Sequence, residues 1–246
     1  MTHVRGVRLM EGASDTRGDG SVPNVAGPRT PKGRARETMT RLADEYPGTA
    51  RELCALRHTN PFELLCATIL SAQTTDERVN LVTPSLFARY PTPAALAFAD
   101  PAEVEAIVQS TGFYRNKTKS LIGMANALVD RFGSEVPRAI EDLVTIPGVG
   151  RKTANVIRSV AMNEPGLPVD THVGRLSRRL GLTPQTDPVK VEYELNDMIP
   201  PAERGTFSLR LILHGRAVCD ARKPRCHDCV LASFCPSAGL AGKATQ

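Results

Sequence analysis

The chain has 246 residues, of which 41% are hydrophobic and 23% are charged. This length can bury a sizeable core, in one large domain or two smaller ones. No apolar run approaches the roughly 20 residues of a membrane span, and the N-terminus lacks the apolar segment of a signal peptide. The sequence therefore argues against a membrane protein, and a cytoplasmic location, associated with the nucleoid, is expected by default.

The net charge of +5 is concentrated at the N-terminus. Residues 1–36 hold seven Arg or Lys and three Asp or Glu, a net of +4, so the other 210 residues carry only about +1. This segment is rich in Gly and Pro and has almost no apolar periodicity. We predict a disordered basic tail over 1–36, which is either simply solvated or adds phosphate contacts.

From Glu37 onward the pattern is helical. Asn60 precedes Pro61, and Glu63 is placed for a capping box, which predicts a helix start. The same signature recurs at Thr92-Pro93, Asp100-Pro101 and Asp187-Pro188, and Gly112 and Gly133 are typical helix ends. Because no segment alternates with period two, the predicted fold class is all-α, with about ten short helices.

A glycine turn interrupts this pattern near the middle of the chain. Pro147, Gly148, Val149 and Gly150 separate a short helical segment from a new helix predicted over about Arg151–Met162. Glycines expose backbone N–H groups, and a helix N-terminus attracts anions. The turn therefore indicates either an anion-binding site or an ordinary helix–turn–helix connection.

Two charged residues near this turn suggest chemistry. Lys152 lies in the first turn of the new helix, where the helix dipole disfavours a positive charge, so more of its amine is free to act as a nucleophile. Asp170 follows eighteen residues later and has the sequence context of a helix N-cap. A cap can also point into a cleft, so the structural and catalytic interpretations of Asp170 are compatible.

Four cysteines occupy seventeen residues near the C-terminus. Cys219, Cys226, Cys229 and Cys235 form a C-x6-C-x2-C-x5-C array. In a chain without an export signal such an array favours metal over disulfides, and its chemistry suits zinc and a [4Fe–4S] cluster comparably. Cys54 and Cys66, in apolar helical surroundings, are predicted to be buried structural thiols.

The stretch Ile146–Asn155, followed by Val169-Asp170-Thr171-His172, resembles the helix–hairpin–helix and catalytic segment of the endonuclease III family of DNA-repair glycosylases. The resemblance extends from about Pro61 to Pro236, and the family shares the cysteine spacing. It implies that Lys152 is a Schiff-base nucleophile, that Asp170 is the essential carboxylate, and that the four cysteines hold a [4Fe–4S] cluster. It also implies two lobes, a six-helix barrel over 54–164 with the helix–hairpin–helix at about 140–160, and a discontinuous cluster lobe formed by 37–53 plus 165–246.

The resemblance further assigns residues that reach the DNA. Gln73 matches a glutamine that enters the duplex, and Phe113 stands where many relatives have a leucine wedge; without the family, Gln73 would be a polar helix end and Phe113 a core residue. Ser71, Asp76 and His172 are expected near the base pocket.

The phosphate contacts are expected from three places: the hairpin residues 147–150, Arg175, and the basic loop between the first two cysteines. The candidates in that loop are Arg222, Lys223 and Arg225. A solvated loop is the alternative.

The expected function is a monomeric, bifunctional DNA glycosylase and AP lyase that acts on oxidised pyrimidines or abasic sites in double-stranded DNA. Three alternatives remain at this stage. An adenine-mismatch glycosylase would lack the nucleophilic lysine and carry a further C-terminal domain. A non-catalytic module would bind DNA through the hairpin, and an iron–sulfur redox sensor would change its DNA affinity with oxidation state.

Overall fold

The computed structural model describes residues 27–240, and every regular element in this range is helical. The all-α class predicted from the sequence is therefore confirmed. The α-helices of this range are α1 (Pro31–Glu45), α2 (Ala50–Leu53), α3 (Pro61–Leu70), α4 (Asp76–Arg89), α5 (Pro93–Ala97), α6 (Pro101–Val108), α7 (Tyr114–Phe132), α8 (Ile140–Leu143), α9 (Arg151–Val156), α10 (Thr171–Arg179), α11 (Pro188–Asn196) and α12 (Arg204–Ala217). A π-helical turn, Ile157–Ala161, extends α9 to almost the end predicted for it. Among residues 27–240, no helix combines the length and the apolar content that a membrane crossing requires.

The predicted cap–proline signatures all begin helices. Asn60, Thr92, Asp100 and Asp187 each accept a hydrogen bond from a backbone N–H in the first turn of the following helix. In a capping box the Glu63 carboxylate would accept a hydrogen bond from the N–H of Asn60. It accepts instead from the N–H of Thr59, one residue earlier, at 2.6 Å. These helix starts are therefore fixed by local sequence.

The first helix begins inside the segment predicted to be a tail. Thr30 caps α1 by accepting from the N–H of Gly33 at 3.1 Å. Arg34 then donates to the carbonyls of Leu180 and Gly181 at 2.7 and 2.6 Å, at the C-terminal end of α10, where a cation is favoured. The predicted tail boundary at residue 36 is therefore wrong, because residues 31–36 belong to the fold. Residues 1–26 of that tail lie outside the described residues.

Helices α3 to α9 surround one hydrophobic core, which we call the first core. Its buried residues all lie between Leu56 and Val160. They include Leu121, Met124, Ala125 and Leu128 of α7, and Ala154, Ile157 and Val160 of α9 and its π-helical turn, as the apolar stripes predict. The first core therefore holds the start of α9, and with it Lys152, on a rigid body.

A second core joins the two ends of the described chain. Leu42 of α1 packs with Leu176 of α10, Leu195 of α11 and Phe207 and Leu211 of α12. Cys219, Cys229 and Cys235 pack against its edge. Helix α12 touches both cores, since its Leu209 packs against the first. The exact lobe limits implied by the resemblance stay a prediction.

Candidate active site and nucleic-acid interface

The loop between α8 and α9 presents bare backbone to solvent. Gly148 has φ +79°, and a Cβ there would lie 3.0 Å from the Cβ of Ser120, so a side chain would be both strained and crowded. A Cβ on Gly150 would meet nothing within 4 Å, and no side chain caps the start of α9. The loop thus leaves open space and unclaimed N–H groups at a helix N-terminus, which is the arrangement that binds an anion.

The same loop is anchored from inside by two of its residues. Val149 is 5% exposed, and its N–H donates to the carbonyl of Ile146 at 3.0 Å. Pro147 lies against α7, where a Cβ on Gly123 would stand 3.3 Å from the proline ring. Of the four hairpin residues predicted to contact DNA, Val149 therefore holds the loop in place rather than facing outward, whereas Pro147, Gly148 and Gly150 are exposed.

Lys152 and Asp170 line one open pocket of about 520 Å³. One carboxylate oxygen of Asp170, Oδ1, accepts from the Val173 N–H at 2.9 Å and caps α10, as predicted. Among residues 27–240, neither Lys152 nor Asp170 forms an ion pair. The lysine amine and the second carboxylate oxygen are therefore available to a molecule that enters the pocket.

The segment between Lys152 and Asp170 packs closely against α9 on one side and α12 on the other. The side chain of Asn155 accepts from the Leu167 N–H at 3.3 Å, and a Cβ on Gly166 would lie 2.5 Å from the Asn155 carbonyl oxygen. On the other side, the Ser208 hydroxyl donates to the carbonyl of Pro168. These contacts fix where Asp170 begins α10 relative to α9. The sequence analysis did not identify them.

His172 lines the same pocket and Arg175 supports it. Burial lowers the pKa of the His172 imidazole, as do the positive charges of Arg175 and Arg216, while Asp170 opposes the shift. Arg175 Nη2 lies 3.1 Å from His172 Nδ1 and donates to the carbonyls of Gly215 and Cys219 at 3.1 Å each. Arg175, predicted to contact DNA, thus uses its guanidinium to hold α10 against the end of α12.

Gln73 and Phe113 lie on one exposed face with the hairpin. Together with Gly148 they line a cavity of about 360 Å³. Both have left-handed backbone, with φ 57° for Gln73 and 48° for Phe113. Phe113 is 66% exposed, so the interpretation of Phe113 as a core residue is wrong. Strained, exposed side chains beside an anion-binding loop are typical of a ligand-contacting surface.

Ser71 and Asp76 do not line the cavity that Lys152 and Asp170 share, and their place near the base pocket stays a prediction. The Ser71 hydroxyl donates to the Thr68 carbonyl at 2.8 Å, at the end of α3. Asp76 pairs with Arg216 of α12 at 3.0 Å. Asp76 therefore links the barrel helix α4 to the helix that touches both cores.

The four C-terminal cysteines form a partly buried group. Burial, together with the other three thiols, raises the pKa of the Cys229 thiol to about 11. Arg179 donates to Cys219 Sγ at 3.2 Å, and His214 Nε2 lies 3.2 Å from Cys229 Sγ. No three His, Cys, Asp or Glu side chains of residues 27–240 converge closely enough for a single ion. The four thiols fit a [4Fe–4S] cluster by their chemistry, because such a cluster takes one thiolate on each iron atom.

The basic loop between Cys219 and Cys226 contains one tethered and two exposed cations. Arg225 donates to the carbonyl of Ala217 at the end of α12. Arg222 and Lys223 are exposed and form no ion pair with any of residues 27–240. Arg222 and Lys223 thus present positive charge to solvent.

Two buried polar contacts were not predicted from the sequence. Lys117 is 4% exposed, and its Nζ donates to the Thr111 carbonyl at 2.7 Å, which closes the turn that carries Phe113. Arg151 pairs with Glu192 of α11 through two hydrogen bonds of 2.8 Å. Neither contact has a local sequence signal, because each depends on how separate elements pack.

Two family models match the chain. Residues 66–201 match the HhH-GPD superfamily of base excision DNA repair proteins, and residues 219–235 match the iron–sulfur binding domain of endonuclease III. The [4Fe–4S] cofactor implied by the family resemblance is thereby confirmed. The residues between Cys219 and Cys235 include all four predicted ligands.

Relatives and solved structures agree with these matches. Endonuclease III of Synechocystis sp. is 52% identical over 208 residues, 84% of this chain and 94% of that protein. A non-covalent endonuclease III–DNA complex is 40% identical, with a TM-score of 0.78 over 85% of this chain and 97% of that one. A trapped endonuclease III–DNA covalent intermediate is 41% identical with the same coverage and a TM-score of 0.78. The chain therefore belongs to the endonuclease III family of base excision DNA repair enzymes.

Proposed function

We propose that this chain is a DNA glycosylase with AP lyase activity that removes oxidised pyrimidines from double-stranded DNA. The observation that carries the proposal is that Lys152 and Asp170, at the starts of different helices and eighteen residues apart, line one open pocket of about 520 Å³. A free amine and a carboxylate in one cleft are the groups that imine chemistry at a sugar carbon needs. We also propose that the protein acts as a monomer and associates with the nucleoid.

The proposed DNA-binding face is built from the hairpin, Gln73 and Phe113. The backbone N–H groups of Gly148, Gly150 and Arg151 would bind a backbone phosphate and set the register of the duplex. Gln73 and Phe113 would enter the stack from the neighbouring cavity while the damaged nucleotide turns out toward Lys152. Arg222 and Lys223 would add phosphate contacts. Two solved relatives, 40% and 41% identical, are bound to DNA in their structures, which supports DNA as the ligand.

The proposed chemistry runs through Lys152. Its neutral amine attacks C1′ of the flipped nucleotide, the N-glycosidic bond breaks, and the base leaves with the bonding electrons. Ionised Asp170 stabilises the positive charge that develops on the sugar and accepts the proton lost by the amine. The C1′–O4′ bond then opens, O4′ takes up the proton held by Asp170, and C1′ and the lysine nitrogen form the imine. The imine makes the C2′ proton acidic, and removal of that proton expels the 3′ phosphate, which cuts the strand by β-elimination.

The cluster residues have a supporting role in this scheme. Cys219, Cys226, Cys229 and Cys235 would bind the [4Fe–4S] cluster, whose four iron–thiolate bonds cross-link the C-terminal segment. The loop between the first two cysteines would then hold Arg222 and Lys223 in fixed positions. No step of the reaction needs electrons from this group.

Borohydride trapping tests the proposed function. The protein is mixed with a duplex containing thymine glycol, and borohydride reduces any imine to a stable protein–DNA adduct. We expect an adduct with wild type and none with Lys152→Ala. Lys190→Ala is the matched control, because Lys190 is an exposed lysine of α11 between two residues that line the same pocket.

The other outcomes separate the alternatives. An adduct with Lys152→Ala would move the chemistry to another amine. Base release without an adduct would identify a monofunctional glycosylase of the adenine-mismatch kind. Binding without base release or strand cleavage, on thymine glycol and on abasic-site duplexes alike, would favour a DNA-binding or redox-sensing protein.

A further inference from the structure

A two-pronged ion pair joins the nucleophile's helix to the opposite core. Arg151 Nε and Nη2 donate to the two carboxylate oxygens of Glu192, each at 2.8 Å. The Glu192 side chain is 6% exposed, and the Arg151 guanidinium lies 5.1 Å from the centre of the Tyr193 ring. The arginine is therefore held by two hydrogen bonds and by an aromatic face.

This geometry restricts orientation more than a single hydrogen bond does. A planar guanidinium that meets both oxygens of a carboxylate is fixed in direction as well as in distance. Since the Glu192 carboxylate is buried, leaving it unpaired would destabilise the fold strongly. The pair is thus a rigid connection between the first turn of α9 and the middle of α11.

Both ends of the pair adjoin the Lys152 pocket. Arg151 is the residue before Lys152, and Val191, the residue before Glu192, lines the pocket together with Lys152 and Asp170. No side chain caps the start of α9. Among residues 27–240, the hydrogen bonds of Arg151 to Glu192 are therefore the polar side-chain contact that fixes the first turn of α9. Movement of this turn would move the lysine amine relative to Asp170.

We propose that Glu192 is a positioning residue that acts through Arg151 to hold the Lys152 amine in the geometry for attack. This inference rests on the proposed function, because it assigns Glu192 a part in the same reaction. A misplacement of about 1 Å at a reacting group can reduce a rate by roughly 100-fold. Loss of the connection should therefore slow imine formation much more than it weakens DNA binding.

The test measures rate and binding separately. The single-turnover rate of borohydride-trapped adduct is measured on abasic-site DNA, and the Kd is measured on a duplex with an uncleavable tetrahydrofuran site. For Glu192→Gln, and for Arg151→Lys, we expect the rate to fall at least about tenfold while the Kd changes less than about twofold. The double variant should be no slower than the slower single variant, because both residues act through one contact.

Two controls distinguish positioning from fold stability and from charge. Glu164→Gln removes an ion pair between two connecting segments, Arg138–Glu164 at 2.9 Å, whose residues do not line this pocket, and it should leave the rate unchanged. Thermal unfolding of every variant shows whether the assay temperature stays below its Tm. Loss of a nearby negative charge by itself favours the neutral amine and would speed the reaction, so a slower reaction identifies positioning.

The results that contradict the inference are distinct from those that contradict the proposed function. A Glu192→Gln rate equal to or above that of wild type, in a protein that forms the adduct, overturns the positioning role alone. A rate and a Kd that worsen in parallel with a lowered Tm do the same. Wild type without any adduct overturns the proposed function, and the positioning role with it.

Discussion

At the scale of single residues, the site combines structural and chemical roles in the same side chains. Asp170 caps α10 with one carboxylate oxygen and lines the Lys152 pocket. The sequence predicts the cap because the signal is local, and the catalytic role came only from the family resemblance. Phe113 shows the limit of local reasoning, since an aromatic residue between helices is usually buried, yet this one is 66% exposed on a left-handed backbone.

Asp170→Asn separates the two roles of the aspartate. Asparagine caps a helix about as well as aspartate does, so the free energy of unfolding should change by less than about 1 kcal/mol. The neutral amide cannot stabilise positive charge on the sugar, so lyase activity should fall by roughly 100-fold or more. Thermal unfolding and single-turnover strand cleavage measure these effects. Unchanged cleavage would show that the Asp170 charge has no part in the reaction.

The matched control is Asp187→Asn, which changes the cap of α11 in the same way. Asp187 does not line the pocket, so its replacement should affect neither stability nor cleavage appreciably. Loss of cleavage in this control would attribute the effect of Asp170→Asn to helix ends in general.

At the scale of elements, helix starts were predictable and the contacts that brace the site were not. Cap–proline signatures involve neighbouring residues, and each signature tested here begins a helix. By contrast, the Arg151–Glu192 pair joins residues 41 positions apart, and the Asn155–Leu167 bond joins residues 12 apart. Such pairs depend on tertiary packing, which periodicity does not encode.

The two hairpin glycines should respond differently to alanine. Gly148→Ala places a Cβ 3.0 Å from Ser120 on a backbone with φ +79°, so unfolding should become easier by about 1–3 kcal/mol. Gly150→Ala meets nothing within 4 Å and has an ordinary φ of −87°, so its cost should stay below about 1 kcal/mol. Chemical denaturation measures both.

DNA affinity provides the second readout for this pair. If the open space at Gly150 is where a phosphate approaches, Gly150→Ala should weaken binding of an abasic-site duplex by about tenfold although the protein stays folded. Binding equal to that of wild type would place the phosphate elsewhere. A large loss of stability in Gly150→Ala would contradict the contacts described for the loop.

At the scale of the whole molecule, the cysteine array indicates a metal centre and the family resemblance implies which one. The second core, by contrast, depends on residues from both ends of the described chain. Leu42 of α1 meets Phe207 and Leu211 of α12, and Arg41 donates to the carbonyl of Val230 at 2.8 Å. The sequence could not give this arrangement, because no local pattern relates residue 41 to residue 230. The resemblance implied a discontinuous lobe, and the packing of α1 is consistent with that prediction.

Serine substitution at two cysteines should separate cofactor ligands from structural thiols. Cys226→Ser removes a predicted ligand, so bound iron should fall well below the about four atoms per chain of a [4Fe–4S] cluster, and the Tm should fall because the second core loses a cross-link. Cys54→Ser changes a thiol that packs against the first core and should keep its iron. Elemental analysis and thermal unfolding check both variants. Full iron content in Cys226→Ser would remove this residue from the ligand set.

The arrangement of the two cores has a consequence for how the protein is made. Every buried residue of the first core lies at or before Val160 in the chain. This core can therefore form while the later residues are still being synthesised on the ribosome. Helix α1 is synthesised earlier, yet the other buried residues of its core, such as Phe207 and Leu211 of α12, follow only after the first core. During translation the apolar face of α1 therefore stays unburied, in contact with water or chaperones, until α12 has emerged from the ribosome.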